Sequence, residues 1–167
     1  MMNKTTAIYF SIACLSLASC RVNSSNIGTT TNCTTGEEIL YSCSTGKKTL
    51  SYCASKPGAA DPFLEYRYGI RNKPELVYRP VRNDRKSYFN RTTLTGASNE
   101  STVIWFKRGN FSYILNDPMR GSPFLKIVES GKSIATIECK GNFSGDPEKA
   151  NPFILRASPE DYFNLTK

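Results

Sequence analysis

The chain reads as an all-β protein, a small antiparallel β-barrel or sandwich of about eight strands with room for a short C-terminal helix. Three observations predict this. Short runs of β-branched and aromatic residues recur from Ile39 to Cys139 at roughly the 8–12-residue spacing of sandwiches and barrels. No segment before residue 150 sustains a helical period. Residues 102–115, the densest apolar stretch outside the N-terminus, have the form of a β-hairpin.

Residues 1–19 form a separate text. Lys4 is their one charge, Ala7 to Leu17 is an apolar run, and Ala18 and Ser19 precede Cys20, which is the pattern of a signal peptide. The run is too short for a mature membrane-spanning helix. Leu17-Ala18-Ser19-Cys20 also resembles the lipobox of bacterial lipoproteins. That resemblance implies acylation of Cys20 and, with Arg21 next to it, an outer-membrane location facing the periplasm. Residues 20–36 are the lipidated Cys and a Ser-, Thr-, Asn- and Gly-rich stretch with little to bury, expected to be a flexible tether.

The folded domain is expected over residues 37–145. Ile39–Cys43 and Thr49–Cys53 flank the turn Thr45-Gly46-Lys47, and Phe63–Tyr68 alternates with Leu64, Tyr66 and Tyr68 on one face. Glu75–Tyr78 is short and stops near Pro80, which cannot donate to a ladder. Ser87–Thr93 follows, then the hairpin around Gly109-Asn110, then Phe124–Val128 and Ser133–Cys139 around Ser130-Gly131. Pairing across Gly109-Asn110 sets Phe106 opposite Tyr113 and Ile104 opposite Leu115. One hairpin face then carries Ile104, Phe106, Phe111, Tyr113 and Leu115, while the other mixes Val103, Trp105, Lys107, Ser112 and Ile114. The mixed face is either a binding surface or the floor of another sheet. Residues 146–167 open with turn formers and end in Ser158-Pro159-Glu160-Asp161, an N-cap, a first-turn proline and early acids before Tyr162, Phe163 and Leu165.

Cys33, Cys43, Cys53 and Cys139 remain once the N-terminus is set aside, and an even number in an exported chain implies two disulfides. Cys43 with Cys53 would bridge a hairpin and leave Cys33 for Cys139; Cys43 with Cys139 would staple the first strand to the last. The spacing fits no zinc pattern, and the chain has no His, so neither a metal nor another cofactor is expected.

Loss of Lys4 with the signal takes the formal charge from +8 to +7. Such a balance favours anionic surfaces, while the export signal argues against nucleic acid as a partner. Eight Asn-x-Ser/Thr sequons reflect an Asn- and Thr-rich chain rather than glycosylation in a bacterial setting. Catalysis is not expected. There is no His for proton transfer, no Gly-x-Ser-x-Gly elbow and no phosphate-cradling Gly loop. Glu100, Asp117, Glu129 and Glu138 are the carboxylates a glycoside hydrolase could use, with no spacing that singles out a pair.

Tyr41-Ser42-Cys43-Ser44-Thr45-Gly46, Thr95-Gly96-Ala97-Ser98, Trp105-Phe106-Lys107-Arg108-Gly109 and the final Cys139 together resemble the membrane-bound inhibitors of c-type lysozyme. The resemblance implies a small envelope lipoprotein with an antiparallel barrel. It implies that Thr95, standing for a Ser, and Lys107 or Arg108, standing for a Lys, engage the carboxylates of a lysozyme cleft. Trp and Phe are transposed relative to that family, the Tyr of its second motif is missing, and Cys53 has no counterpart. The expected function is a noncatalytic envelope lipoprotein that binds a protein partner, either a lysozyme-type hydrolase or a secreted toxin. A third expectation is a structural envelope lipoprotein that binds lipopolysaccharide or peptidoglycan.

Overall fold

A computed structural model describes residues 30–167; the expected signal peptide and the expected lipidation site Cys20 lie outside the described residues. The fold is an all-β sandwich of two sheets with one short C-terminal helix, and neither sheet closes into a barrel. The first sheet runs β10-β1-β2-β3-β4, from β1 (Glu38–Ser44), β2 (Thr49–Ala54), β3 (Leu64–Ile70), β4 (Lys73–Tyr78) and β10 (Lys140–Gly145). The second runs β11-β5-β6-β7-β8-β9, from β5 (Phe89–Thr95), β6 (Glu100–Arg108), β7 (Phe111–Pro118), β8 (Phe124–Glu129), β9 (Lys132–Glu138) and β11 (Ile154–Arg156).

The strands read from the sequence are all present, and two were not foreseen. β10 contains Gly141 and Gly145, residues with the composition of a loop, and it pairs because β1 presents an open edge from Tyr41 to Ser44. β11 lies within the expected C-terminal loop and joins β5 in parallel, with Ile154 opposite Phe89. Neither has a period of its own long enough to see.

Alternation explains the core. Tyr41, Leu50, Tyr52, Leu64 and Tyr66 from the first sheet face Phe89, Ile104, Phe106, Leu115 and Leu125 from the second, all at most 1% exposed. Phe106 sits at the centre, stacked on Tyr78 at 4.0 Å and on Tyr113 at 4.9 Å between ring centroids. The β6–β7 register is the one the turn predicts: Arg108 opposite Phe111, Phe106 opposite Tyr113, Ile104 opposite Leu115. Of the turn pair, only Gly109 takes positive φ, at 60°.

The mixed outer face of that hairpin is covered, though not by another sheet. Val103, Trp105, Ile114 and Val128 form a second apolar cluster closed by Leu165 and Tyr162 from the C-terminal segment. The helix α1 (Pro159–Phe163) begins at the expected cap: Ser158 accepts from the Asp161 amide while the Asp161 carboxylate accepts from the Ser158 amide. Five residues would not hold a helix alone, and docking of Leu165 over Trp105 supplies the missing burial.

The disulfides are Cys33–Cys53 and Cys43–Cys139. The Cys43–Cys53 bridge fails for a reason of parity. Cys43 pairs with Leu50 and therefore faces the core, whereas Cys53, three residues on, points to the opposite face of the sheet. Facing inward, Cys43 meets Cys139 where the chain crosses from β9 in the second sheet to β10 in the first. Facing outward, Cys53 meets Cys33 in the segment expected to be tether.

That segment is docked from residue 30 onward. Asn32 is buried; its side-chain amide donates to the carbonyls of Thr49 and Gly69, and its backbone amide donates to Ser51 Oγ. Ser42 and Ser51 share a 2.7 Å hydrogen bond beneath it. Polar residues on the outer face of the first sheet are thus satisfied by the incoming chain.

Candidate functional site

The tip of the β6–β7 hairpin is the first surface the fold singles out. Lys107 and Arg108 are exposed directly after five consecutive buried residues, Thr102 to Phe106. The β5–β6 register ends at Asn90 opposite Trp105, so both cations overhang β5. Among the described residues neither takes part in an ion pair, whereas Lys48, Arg67, Arg79, Arg82 and Lys149 all do. Because the hairpin is anchored in the core, contact with an anionic partner orders only the two side chains and not the backbone that carries them.

Thr95 is not part of that tip. It is exposed at the far end of β5, opposite Glu100. From Glu100 to Lys107 the rise of a β-strand carries β6 roughly 23 Å. The residue standing for the inhibitor Ser and the residues standing for its Lys therefore occupy opposite ends of the second sheet. Cys33, Cys43, Cys53 and Cys139 are all engaged in disulfides, so the convergence of Cys33, Cys53 and Glu37 is a bridge beside a carboxylate rather than a thiolate metal site.

The end of the sandwich near Thr95 carries a second feature, a pair of clefts between the inner face of β5–β7 and the loop joining β10 to β11. The larger, about 580 Å³, is lined by Arg91, Thr93, Glu100, Thr102, Glu148 and Arg156 among others. The smaller, about 240 Å³, shares Glu100, Thr102 and Glu148 and adds Asp117, Met119 and Asp146. Strand alternation places Glu100, Thr102 and Asp117 on the inner face, in line with Ile104 but beyond the edge of the apolar core.

The loop is tied down on three sides. Arg91 donates from one terminal nitrogen to the carbonyls of Pro147 and Lys149, Thr102 Oγ1 donates to Glu148 Oε1 at 2.9 Å, and Lys149 pairs with Glu38 on β1. Within the loop the Glu148 amide donates to Asp146 Oδ1. Burial, with a further contribution from the Glu148 charge, holds the Asp117 carboxyl above the ordinary aspartate range, against the lowering influence of the Tyr41 hydroxyl. Tyr41 is fully buried, and burial and the Asp117 charge push its hydroxyl up in turn. The hydroxyl faces Asp117 yet makes no hydrogen bond of ordinary geometry.

Glu100 and Asp117 were visible in the sequence as carboxylates. Their meeting with Asp146 and Glu148 was not, because the four come from two strands and a loop whose course depends on β10 and β11. Glu129 lies at the other end of the sheet, opposite Phe111, and Glu138, though level with Asn116 through Phe124, stands two strands across on β9 in the row of the outer face. No helix of the described residues is long and apolar enough to cross a membrane. The chain matches no protein-family model, no curated protein and no solved structure.

Proposed function

We propose that the chain is a noncatalytic bacterial lipoprotein, held at the outer membrane through Cys20 and facing the periplasm, that binds a protein partner and inhibits a lysozyme-type cell-wall hydrolase. The single observation that carries the reading is the hairpin tip: Lys107 and Arg108 are exposed, unpaired among the described residues and mounted directly after five consecutive buried residues of β6. A guanidinium or ammonium inserted between two carboxylates of a hydrolase cleft gains charge-assisted hydrogen bonds in a dry environment. Thr95 stands too far along the sheet to enter the same cleft, so the contact rests on the tip alone.

The net charge favours a second reading. A chain at +7 is repelled at long range by a basic lysozyme and attracted by an acidic effector, which suits an immunity protein that neutralises a secreted toxin. A structural lipoprotein that binds lipopolysaccharide or peptidoglycan would use the same charge.

The deciding experiment uses the full chain in detergent as bait against periplasmic extract and a lysozyme panel, with Lys107→Ala/Arg108→Ala alongside. Inhibition by wild type and its loss in the double variant support the hydrolase reading. Failure of wild type to inhibit any lysozyme, or equal inhibition by the double variant, sinks it; capture of an acidic effector then favours immunity, and salt-sensitive sedimentation with cell walls favours the structural role. Incorporation of labelled palmitate, lost in Cys20→Ser, tests the anchor separately.

A further inference from the structure

We propose that the larger cleft, at the open edge of β5, holds a free peptide of about three or four residues as an added strand, its carboxylate on Arg156 and its ammonium on Glu100. Arg91, Thr92 and Thr93 line this cleft together, although alternation sends their side chains to opposite faces of the sheet. A cavity that collects residues from both faces lies along the edge of the strand. It opens where β11 stops.

Parity shows which backbone groups look into it. From the end of β7 the Met119 amide donates to the Glu100 carbonyl, so the even-numbered backbone groups of β6 face β7 and the odd-numbered ones face β5. The residues of β5 opposite those odd positions, Asn90, Thr92 and Leu94, complete the ladder with β6, and Arg91, Thr93 and Thr95 turn their backbone groups the other way. On that side the Phe89 amide donates to the Phe153 carbonyl, and the Arg91 carbonyl accepts from the Ala157 amide. β11 ends at Arg156, level with Arg91. Among the described residues, the N–H and C=O groups of Thr93 and Thr95 take no hydrogen bond there. Unpaired strand groups beside a cleft of about 580 Å³ are a template for another strand.

The surroundings bound what fits. β11 occupies the same row and, with Ala157, blocks the edge at Arg156, so a strand added beyond it must terminate there. The charges set its direction. At the blocked end the exposed Arg156 guanidinium takes part in no ion pair among the described residues. Glu100, likewise outside those pairs, lies opposite Thr95 at the other end. A carboxylate is favoured at Arg156 and an ammonium at Glu100, which runs the peptide antiparallel to β5. From Arg91 to Thr95 the strand rises roughly 13 Å, the span of about three or four extended residues.

The wall of the cleft is set before a ligand arrives. Arg91 is held to the carbonyls of Pro147 and Lys149, and Thr102 Oγ1 donates to Glu148 at 2.9 Å, which pins the loop beside the edge. Binding then orders the peptide and few groups of the protein. The site is independent of the hairpin tip, which lies at the opposite end of β6.

The test titrates the full chain in detergent micelles with the tripeptide Val-Thr-Val, with its C-terminal amide and with its N-acetyl form. Saturable binding of the free peptide is expected, weakened about tenfold by either block. Arg156→Gln should weaken the free peptide by a similar factor and leave the amide unchanged, whereas Glu100→Gln should weaken the free peptide and leave the acetylated form unchanged. In wild type, the Thr93 amide should gain hydrogen-exchange protection on binding while Thr92 and Leu94, bonded within the β6 ladder, do not change; this readout needs no variant to fold. No saturable binding, equal binding of the free and blocked peptides, equal losses for the free peptide and the amide in Arg156→Gln, or a Thr93 amide unmoved at saturation would overturn the proposal.

Discussion

Arg67 on β3 grips Glu37 with both terminal nitrogens, at 2.6 and 2.8 Å, and so fastens the incoming chain to the outer face of the first sheet. Its remaining contacts go to Glu65 and the Asn32 carbonyl. The pair is largely buried, with side-chain exposures of 11% and 14%. Arg67→Ala would strand Glu37 in that layer and leave Glu65 only its longer contact with Arg79, at 3.7 Å, and a loss of about 3 kcal/mol in a denaturant titration is expected. The same contact sets an acid limit. Partial burial pushes the Glu37 carboxyl up, but the Arg67 hydrogen bond and charge and the Thr34 amide outweigh it and hold the carboxyl below its ordinary value of 4.5. A depressed carboxyl contributes stability that is present above that value and lost as pH falls through the folded one. Glu37→Gln should therefore flatten the acid limb of the stability curve, and an unchanged limb would exclude Glu37 as its source.

The Tyr52 and Tyr66 rings are fully buried in the aromatic core, and neither hydroxyl has a partner. Replacing an unsatisfied buried hydroxyl by hydrogen restores the desolvation it cost. Tyr52→Phe should be neutral or stabilising, by up to about 1 kcal/mol. A loss of that size in thermal unfolding would mean the hydroxyl has an acceptor.

Leu165 lies 5% exposed over Trp105, the chain's single tryptophan. Leu165→Ala removes the lid from the second apolar cluster, and a loss of about 2–3 kcal/mol is expected. Because Trp105 is the only indole, its emission should shift to the red in the native state. Unmoved emission would show that the C-terminal segment does not cover it.

Asp117 gives the opposite pH signature to Glu37. Burial first, then the Glu148 charge, raises its carboxyl above the ordinary 3.8. The folded state then holds the proton more tightly than the unfolded state, so this group lowers stability as pH rises from 3.8 through the folded value. Asp117→Asn should melt higher than wild type at neutral pH, with the difference closing below 3.8. A difference independent of pH would assign the gain to something other than the charge. The groups that face Asp117, and must be watched in the same titration, are Tyr41 on β1, Glu100 on β6, and Asp146 and Glu148 in the loop.

Local pattern alone determined most of the fold. Strand alternation and turn chemistry fix which way each side chain points, so the β6–β7 register, the inward Leu64 and Tyr66 and the Ser158 cap could all be read before any contact was known. Two exposed cations at the hairpin tip follow from the same rule. What depends on parity between distant strands could not be read. The disulfide partners turned on where Cys33 and Cys139, remote in the chain, return to the two faces of the first sheet, and β10 and β11 exist only because neighbouring edges offered them hydrogen bonds. The acidic cleft belongs to that second kind. Glu100, Asp117, Asp146 and Glu148 have no meaningful spacing along the chain, and only the return of the last strands to both sheets sets their charges against one another. Short-range sterics act within a few residues and are written in the sequence, whereas the meeting of remote charges is decided by how the sheets close.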